Sequence, residues 1–335
     1  MRPSLLHVVP VALLALAASC NTAIGLNKIE LSDGGWGGSG GTSATTTTSS
    51  QGGTDTVPTP TTVATAQNRP YGIGVDATHL YWTSYAGGNV QTVALSGGNV
   101  STLASGQNGP QDLALDGTSV YWSATNGGAV MSVPLAGGAP VQLAAGQANP
   151  WGIAVDATNV YWTNAGADTV MSVPVGGGTP AVVASGQNGP WGIAVSATSV
   201  AWTTYFDGTV MSVPIGGGTP VELASGQTGP WGVALDATNA YWSNRDGGTV
   251  MKVPLAGGTP VELATGQGGP AAIVIDADNA YWTNRDANTV SKVPLAGGSP
   301  TVLATGQHEP SGIAVDATHV YWTAYGSGNV MKTPK

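Results

Sequence analysis

The chain has 335 residues, of which 8% are charged and 51 are glycine, and its formal net charge is −9. The acids are scattered, and no basic patch exists that could hold nucleic acid, so a nucleic-acid partner is excluded. Low charge together with alternating Val, Ile and Leu indicates an all-β protein that buries most of its strands.

The amino terminus reads as an export signal. Met1-Arg2 supplies the positive start, and Leu5 to Ala18 form an apolar run too short to span a membrane as a helix. The stretch Leu16-Ala17-Ala18-Ser19-Cys20 ends on the only cysteine of the protein. A lone cysteine serves no disulfide framework. The stretch resembles a bacterial lipobox, which implies cleavage after residue 19 and lipidation of Cys20. The next residue is Asn21 rather than Asp, a pattern that resembles outer-membrane sorting in enterobacterial lipoproteins. The expectation is a lipoprotein of the bacterial cell envelope, in the outer membrane, touching the bilayer through its anchor alone.

Residues 20–58 read as a flexible tether. Gly34 to Gly41 is nearly all glycine, and Thr45 to Thr48 with further Ser and Gly follow. Such a segment buries too little apolar surface to order itself, and as a coil it reaches roughly 35 Å.

From residue 59 to 335 the chain repeats. Tyr81-Trp82, Tyr121-Trp122, Tyr161-Trp162, Tyr241-Trp242, Tyr281-Trp282 and Tyr321-Trp322 recur every 40 residues, and Ala201-Trp202 fills the remaining slot. One unit shows the pattern. Trp231 to Asp236 is a short apolar strand, and Ala240 to Asn244 is an aromatic one. Thr249 to Leu255 alternates as a third strand, and Val261 to Ala264 is a fourth. Gly-rich turns separate them, with Arg245-Asp246-Gly247-Gly248 as a hairpin. Four short antiparallel strands in about 40 residues is the size of a propeller blade. The first repeat-like segment, Thr59 to Gln67, aligns with a fourth strand and its exit loop, whereas the chain stops after a third strand at Asn329 to Pro334. An open β-solenoid would need no such complementary ends. The prediction is therefore a seven-bladed β-propeller whose N-terminal strand completes the last blade and leaves no open sheet edge. It is expected to be a monomer.

The run Ile153 to Asn164, with Tyr161-Trp162-Thr163-Asn164 at its end, resembles the YWTD repeat of low-density-lipoprotein-receptor-type β-propellers, and the resemblance covers residues 59–335. The fourth motif position is Ser84, Ala124, Asn164, Thr204, Asn244, Asn284 or Ala324 and never Asp. Members of that group commonly have six blades, whereas seven are counted here.

Residues present in every copy read as scaffold. Asp76, Asp116, Asp156, Asp236, Asp276 and Asp316, with Ser196 in the seventh slot, fit caps on the turn that follows better than a ring of cation ligands. The glutamines Gln67, Gln107, Gln147, Gln187, Gln227, Gln267 and Gln307 are expected to hydrogen-bond the loops between blades. The Tyr-Trp pairs are expected to pack blade on blade.

Function should lie where copies differ. The residue after each repeat proline falls on the face that carries the strand-two-to-three loops, and it reads Tyr71, Gln111, Trp151, Trp191, Trp231, Ala271 and Ser311. The loops add Tyr85, Tyr205, Phe206, Tyr325, Arg245 and Arg285. Aromatic groups with a few charges at a concave mouth suit a sugar, peptide or protein ligand, with no cofactor. The structural alternative is that Trp151, Trp191 and Trp231 plug the channel. Streptogramin lyases, which have seven blades, are also similar in scaffold. That resemblance implies a metal-assisted lyase or hydrolase, for which His308 and Glu309 are the candidates. His79 and His319 fall in turns on the opposite face.

Overall fold

In a computed structural model of the protein, residues 59–335 are described, so the export signal, Cys20 and the tether lie outside the described residues. Twenty-eight short strands form seven antiparallel sheets of four. Strand β1 (Thr61–Ala64) precedes the first complete run of β2 (Pro70–Val75), β3 (His79–Ser84), β4 (Asn89–Ala94) and β5 (Ser101–Ala104). The same run recurs to the last blade, which holds β26 (Pro310–Val315), β27 (His319–Ala324) and β28 (Asn329–Pro334). That blade takes β1 as its outer strand, with Thr61 opposite Lys332, Thr62 opposite Met331 and Ala64 opposite Val330. The predicted closure holds: Tyr321 and Ala314 of the last blade share one core cluster with Trp82 and Ile73 of the first.

Each Trp of the repeat is fully buried. Trp122 packs in one cluster with Tyr81 of the preceding blade, and Trp162 does so with Tyr121. Burying an indole of this size is worth about 5 kcal/mol of transfer free energy. Seven such contacts explain why one unit cannot stand alone and a ring can.

The polar repeats serve this packing. Asp76 Oδ1 accepts hydrogen bonds from the backbone N–H of Thr78 and His79, and its Oδ2 accepts from the Tyr81 hydroxyl. The same set recurs at Asp116, Asp156, Asp236 and Asp316, so the carboxylates are turn caps tied to the tyrosine. The blade with Ala201 in place of Tyr also has Ser196 in place of Asp, so hydroxyl and carboxylate are missing together. The glutamines do more than bind a loop. Gln67 Oε1 accepts the Trp82 indole N–H at 3.0 Å, while its Nε2 donates to the Thr65 carbonyl. Trp162, Trp202, Trp242, Trp282 and Trp322 are satisfied the same way. Trp122 is the exception, with its indole nitrogen buried and unpartnered. His79 and His319 open second strands rather than sitting in turns.

A relay links neighbouring blades near the axis. Thr163 Oγ1 accepts from Gly152 N at 3.0 Å and donates to the Trp191 carbonyl of the next blade at 2.8 Å. Thr203 joins Gly192 to Trp231, and Thr323 joins Gly312 to Tyr71 across the closure. A hydroxyl is therefore required directly after Tyr-Trp, where it satisfies two buried backbone groups at once.

Candidate functional site: the aromatic mouth

The inner strands begin with a bulge. In β10 (Pro150–Val155) Pro150 pairs with Asn164 and Ile153 with Trp162, so Trp151 and Gly152 share the space of one partner residue. Two consecutive residues per blade are thereby re-aimed toward the axis. The second must be small: a Cβ added at Gly152 would meet the carbonyl oxygen of Trp191, and one at Gly312 would meet that of Tyr71.

The first of the two builds the mouth. Tyr71, Trp151, Trp191 and Trp231 line one cavity together with Asp112 and Arg285. Trp191 lies between two parallel rings, with Trp151 at 5.1 Å and Tyr205 at 4.5 Å between centroids. Trp231 meets Trp191 edge-on at 4.1 Å. Tyr71 stands edge-on to both Trp151 and Tyr325. Phe206 extends the array from Tyr205 and is 66% exposed. The tryptophans thus narrow the channel by packing on one another. The remaining cavity is about 80 Å³. That holds a few waters or the tip of a ligand, far below the several hundred Å³ of a pocket that encloses a small molecule. A ligand body would lie across the mouth.

Three charged networks surround the rings. The Arg245 guanidinium lies 4.7 Å from the Trp231 ring centre, with Nη2 3.5 Å from Asp286 Oδ1. Arg285 Nη2 donates to Glu309 Oε2 at 2.9 Å and its guanidinium lies over Tyr325. Arg69 covers the same ring. Tyr205 donates its hydroxyl to Asp246 Oδ2, and Tyr85 donates to Asn126 Oδ1 at 3.2 Å. All the proposed aromatic and arginine positions therefore lie on one face.

Asp112 was not foreseen. It occupies the second bulge position, where the other blades have Gly72, Gly152, Gly192, Gly232, Ala272 and Gly312. Its Oδ1 accepts from Leu113 N at 2.9 Å and its Oδ2 from Ile153 N of the next blade at 3.3 Å. Burial pushes its carboxyl up to about 6 against the pull of those two bonds. Burial also pushes the neighbouring Tyr71 phenol up to about 12, with Arg285 opposing and Asp112 reinforcing the shift. The signal was present in the sequence as one acid in a column of small residues.

His308 and Glu309 lie at the mouth in the loop before β26, and both adopt positive φ. The Glu309 carboxylate is engaged by Arg285. Among the described residues no three His, Cys, Asp or Glu side chains gather closely enough to hold a metal ion. The donor set at this mouth does not fit a resident divalent cation.

These features define the class: a seven-bladed β-propeller with one aromatic mouth. Neither a protein family nor a curated protein sequence matches the chain. Solved structures do. Streptogramin B lyase is 15% identical with a TM-score of 0.71, covering 82% of this chain and 95% of its own. Virginiamycin B lyase from Staphylococcus aureus is 15% identical with a TM-score of 0.72, covering 82% and 98%. The nidogen–laminin complex, whose propeller is of the YWTD type, is 21% identical with a TM-score of 0.56, covering 65% and 89%. Identities this low establish a shared fold alone.

Proposed function

We propose that this protein is a lipid-anchored recognition module of the bacterial cell envelope, monomeric and without cofactor, whose mouth binds a peptide, glycan or protein segment. One observation carries this reading. The blades are alike in their cores, and on one face the slots that differ between copies bring aromatic rings and every arginine of the described residues together. Rings with charged rims are the usual makings of such a surface. The lipobox and the tether support display of the propeller away from a membrane.

A tryptophan fluorescence titration with glycans and peptidoglycan fragments tests the mouth. A shift in emission that is absent from Trp151→Ala supports the reading; a shift unaffected by that change removes the site. Replacing Cys20 by Ala should move the protein from the membrane fraction to the soluble one, and an unchanged membrane fraction would remove the anchor.

The likeness to streptogramin B lyase favours a second reading, lyase or hydrolase chemistry using His308 and Glu309. Lyase assays of the wild type and His308→Ala, together with metal analysis of the purified protein, decide it. Bound divalent metal with activity that falls in the variant would establish this reading, and turnover identical in both proteins would sink it.

A further inference from the structure

The slot that opens each strand-two-to-three loop reads Tyr85, Thr125, Ala165, Tyr205, Arg245, Arg285 and Tyr325. Two neighbouring blades thus carry arginine in the same slot; Arg285 shares its blade with the small first bulge residue Ala271, and the next blade has the other, Ser311. Arg285 lines the cavity there, and the Arg245 guanidinium lies on Trp231, 4.7 Å from its ring centre. Trp231 itself lines that cavity, so both arginines stand at its rim.

Neither guanidinium is paired with a buried carboxylate. Arg245 Nε is buried with no hydrogen-bond partner. Its link to Asp286 is long at 3.5 Å, and the Asp286 side chain is 63% exposed. Glu309, the partner of Arg285, is 52% exposed. Such exposed pairs are worth about 0–1 kcal/mol, so an incoming acceptor displaces them cheaply. Arg is always charged and presents a planar fork that matches a carboxylate. The cavity beneath admits a group of that size and little more. Asp112, the acid lining the same cavity, belongs to the second blade and lies across the ring from Arg245 and Arg285 on the fifth and sixth.

We propose that Arg245 and Arg285 form an anion subsite at the mouth, taking the carboxylate of a ligand whose apolar or sugar ring rests on the aromatic rim. This rests on the mouth being a binding surface and adds the chemical class of what binds there.

Isothermal calorimetry on the purified protein with two matched pairs of probes tests it: phenylacetate against phenylacetamide, and N-acetylmuramic acid against N-acetylglucosamine. The acid of a pair should bind about tenfold more tightly than its neutral partner. Arg245→Gln and Arg285→Gln should each erase that advantage, bringing acid and neutral probe to equal affinity. Asp286→Asn, which releases Arg245, should strengthen acid binding, and Lys292→Gln on a third strand should do nothing. Equal binding of acid and neutral probes, or an advantage that survives both arginine changes, overturns the subsite. If the neutral probes then still bind and lose affinity in Trp151→Ala, the mouth stands and only its anion preference falls. If no probe binds, the subsite is overturned, and the fragment titration decides the mouth independently. Melting curves of each variant show that a loss is not one of folding.

Discussion

Arg69, Asn149 and Glu309 sit in the left-handed backbone region, at a slot where the other blades have Gly109, Gly189, Gly229 and Gly269. Holding a side chain there costs about 1 kcal/mol. At Arg69 and Glu309 that side chain reaches the mouth, one over Tyr325 and one to Arg285. Strain of this kind persists only where the surroundings hold the residue in place, as these two contacts do. Arg69→Gly should therefore stabilise the fold by about 0.5–1 kcal/mol in chemical denaturation while weakening mouth binding. A loss of stability instead would mean that the contact with Tyr325 outweighs the strain. Reading the column after each proline found Tyr71 and the tryptophans, yet it passed over Asp112 one position later. The reason is physical: strand alternation sends neighbours to opposite faces, and only the bulge brings both toward the channel. A register shift of that kind leaves no mark in a hydrophobic pattern.

The blade is the scale at which most of the fold was legible. Strand count, turn positions and the strand that closes the ring follow from the repeat and its complementary ends. The polar contacts between elements were harder, because they join residues distant along the chain. Six of the seven glutamines meet a Trp fifteen residues later, as Gln67 meets Trp82. Thr163 reaches a carbonyl twenty-eight residues on, at Trp191. The third motif position was read only as part of a resemblance, whereas it ties the bulge of one blade to that of the next. Thr163→Val keeps the shape and leaves Gly152 N and Trp191 O unsatisfied, so it should cost about 2–4 kcal/mol in thermal or chemical unfolding. A cost near zero would show that the relay adds nothing to the blade contact. A larger residue at the next blade's bulge is destabilising too. Gly192→Ala presses a methyl onto the Trp231 carbonyl and should destabilise by about 1–3 kcal/mol, read in the same way.

Over the whole molecule, two sets of carboxyls give opposite pH dependences. Burial raises the carboxyls of Asp76, Asp116, Asp236 and Asp316, yet their turn amides and hydroxyl donors outweigh it and hold them below the ordinary range. Asp276 joins them through Lys335, at 2.6 Å. Their stabilisation is present above the unfolded pKa near 4 and is lost as pH falls through the folded values. Asp112 runs the other way. Its folded value near 6 exceeds its unfolded one, so stability declines as pH rises from about 4 to about 6. Melting temperature against pH should show acid collapse in both the wild type and Asp112→Asn, with the decline between 4 and 6 missing from the variant. If that decline persists in the variant, Asp112 is not its source. The proposed function makes a scaffold of near-identical blades serve one mouth where the copies diverge. The most direct test is a crystal structure of the propeller with the tightest-binding envelope fragment. Ligand density is expected across Tyr71, Trp151 and Tyr325, with its acidic group against Arg245 and Arg285. Density at the opposite end of the channel, beside His79 and His319, or on the outer strands would contradict it.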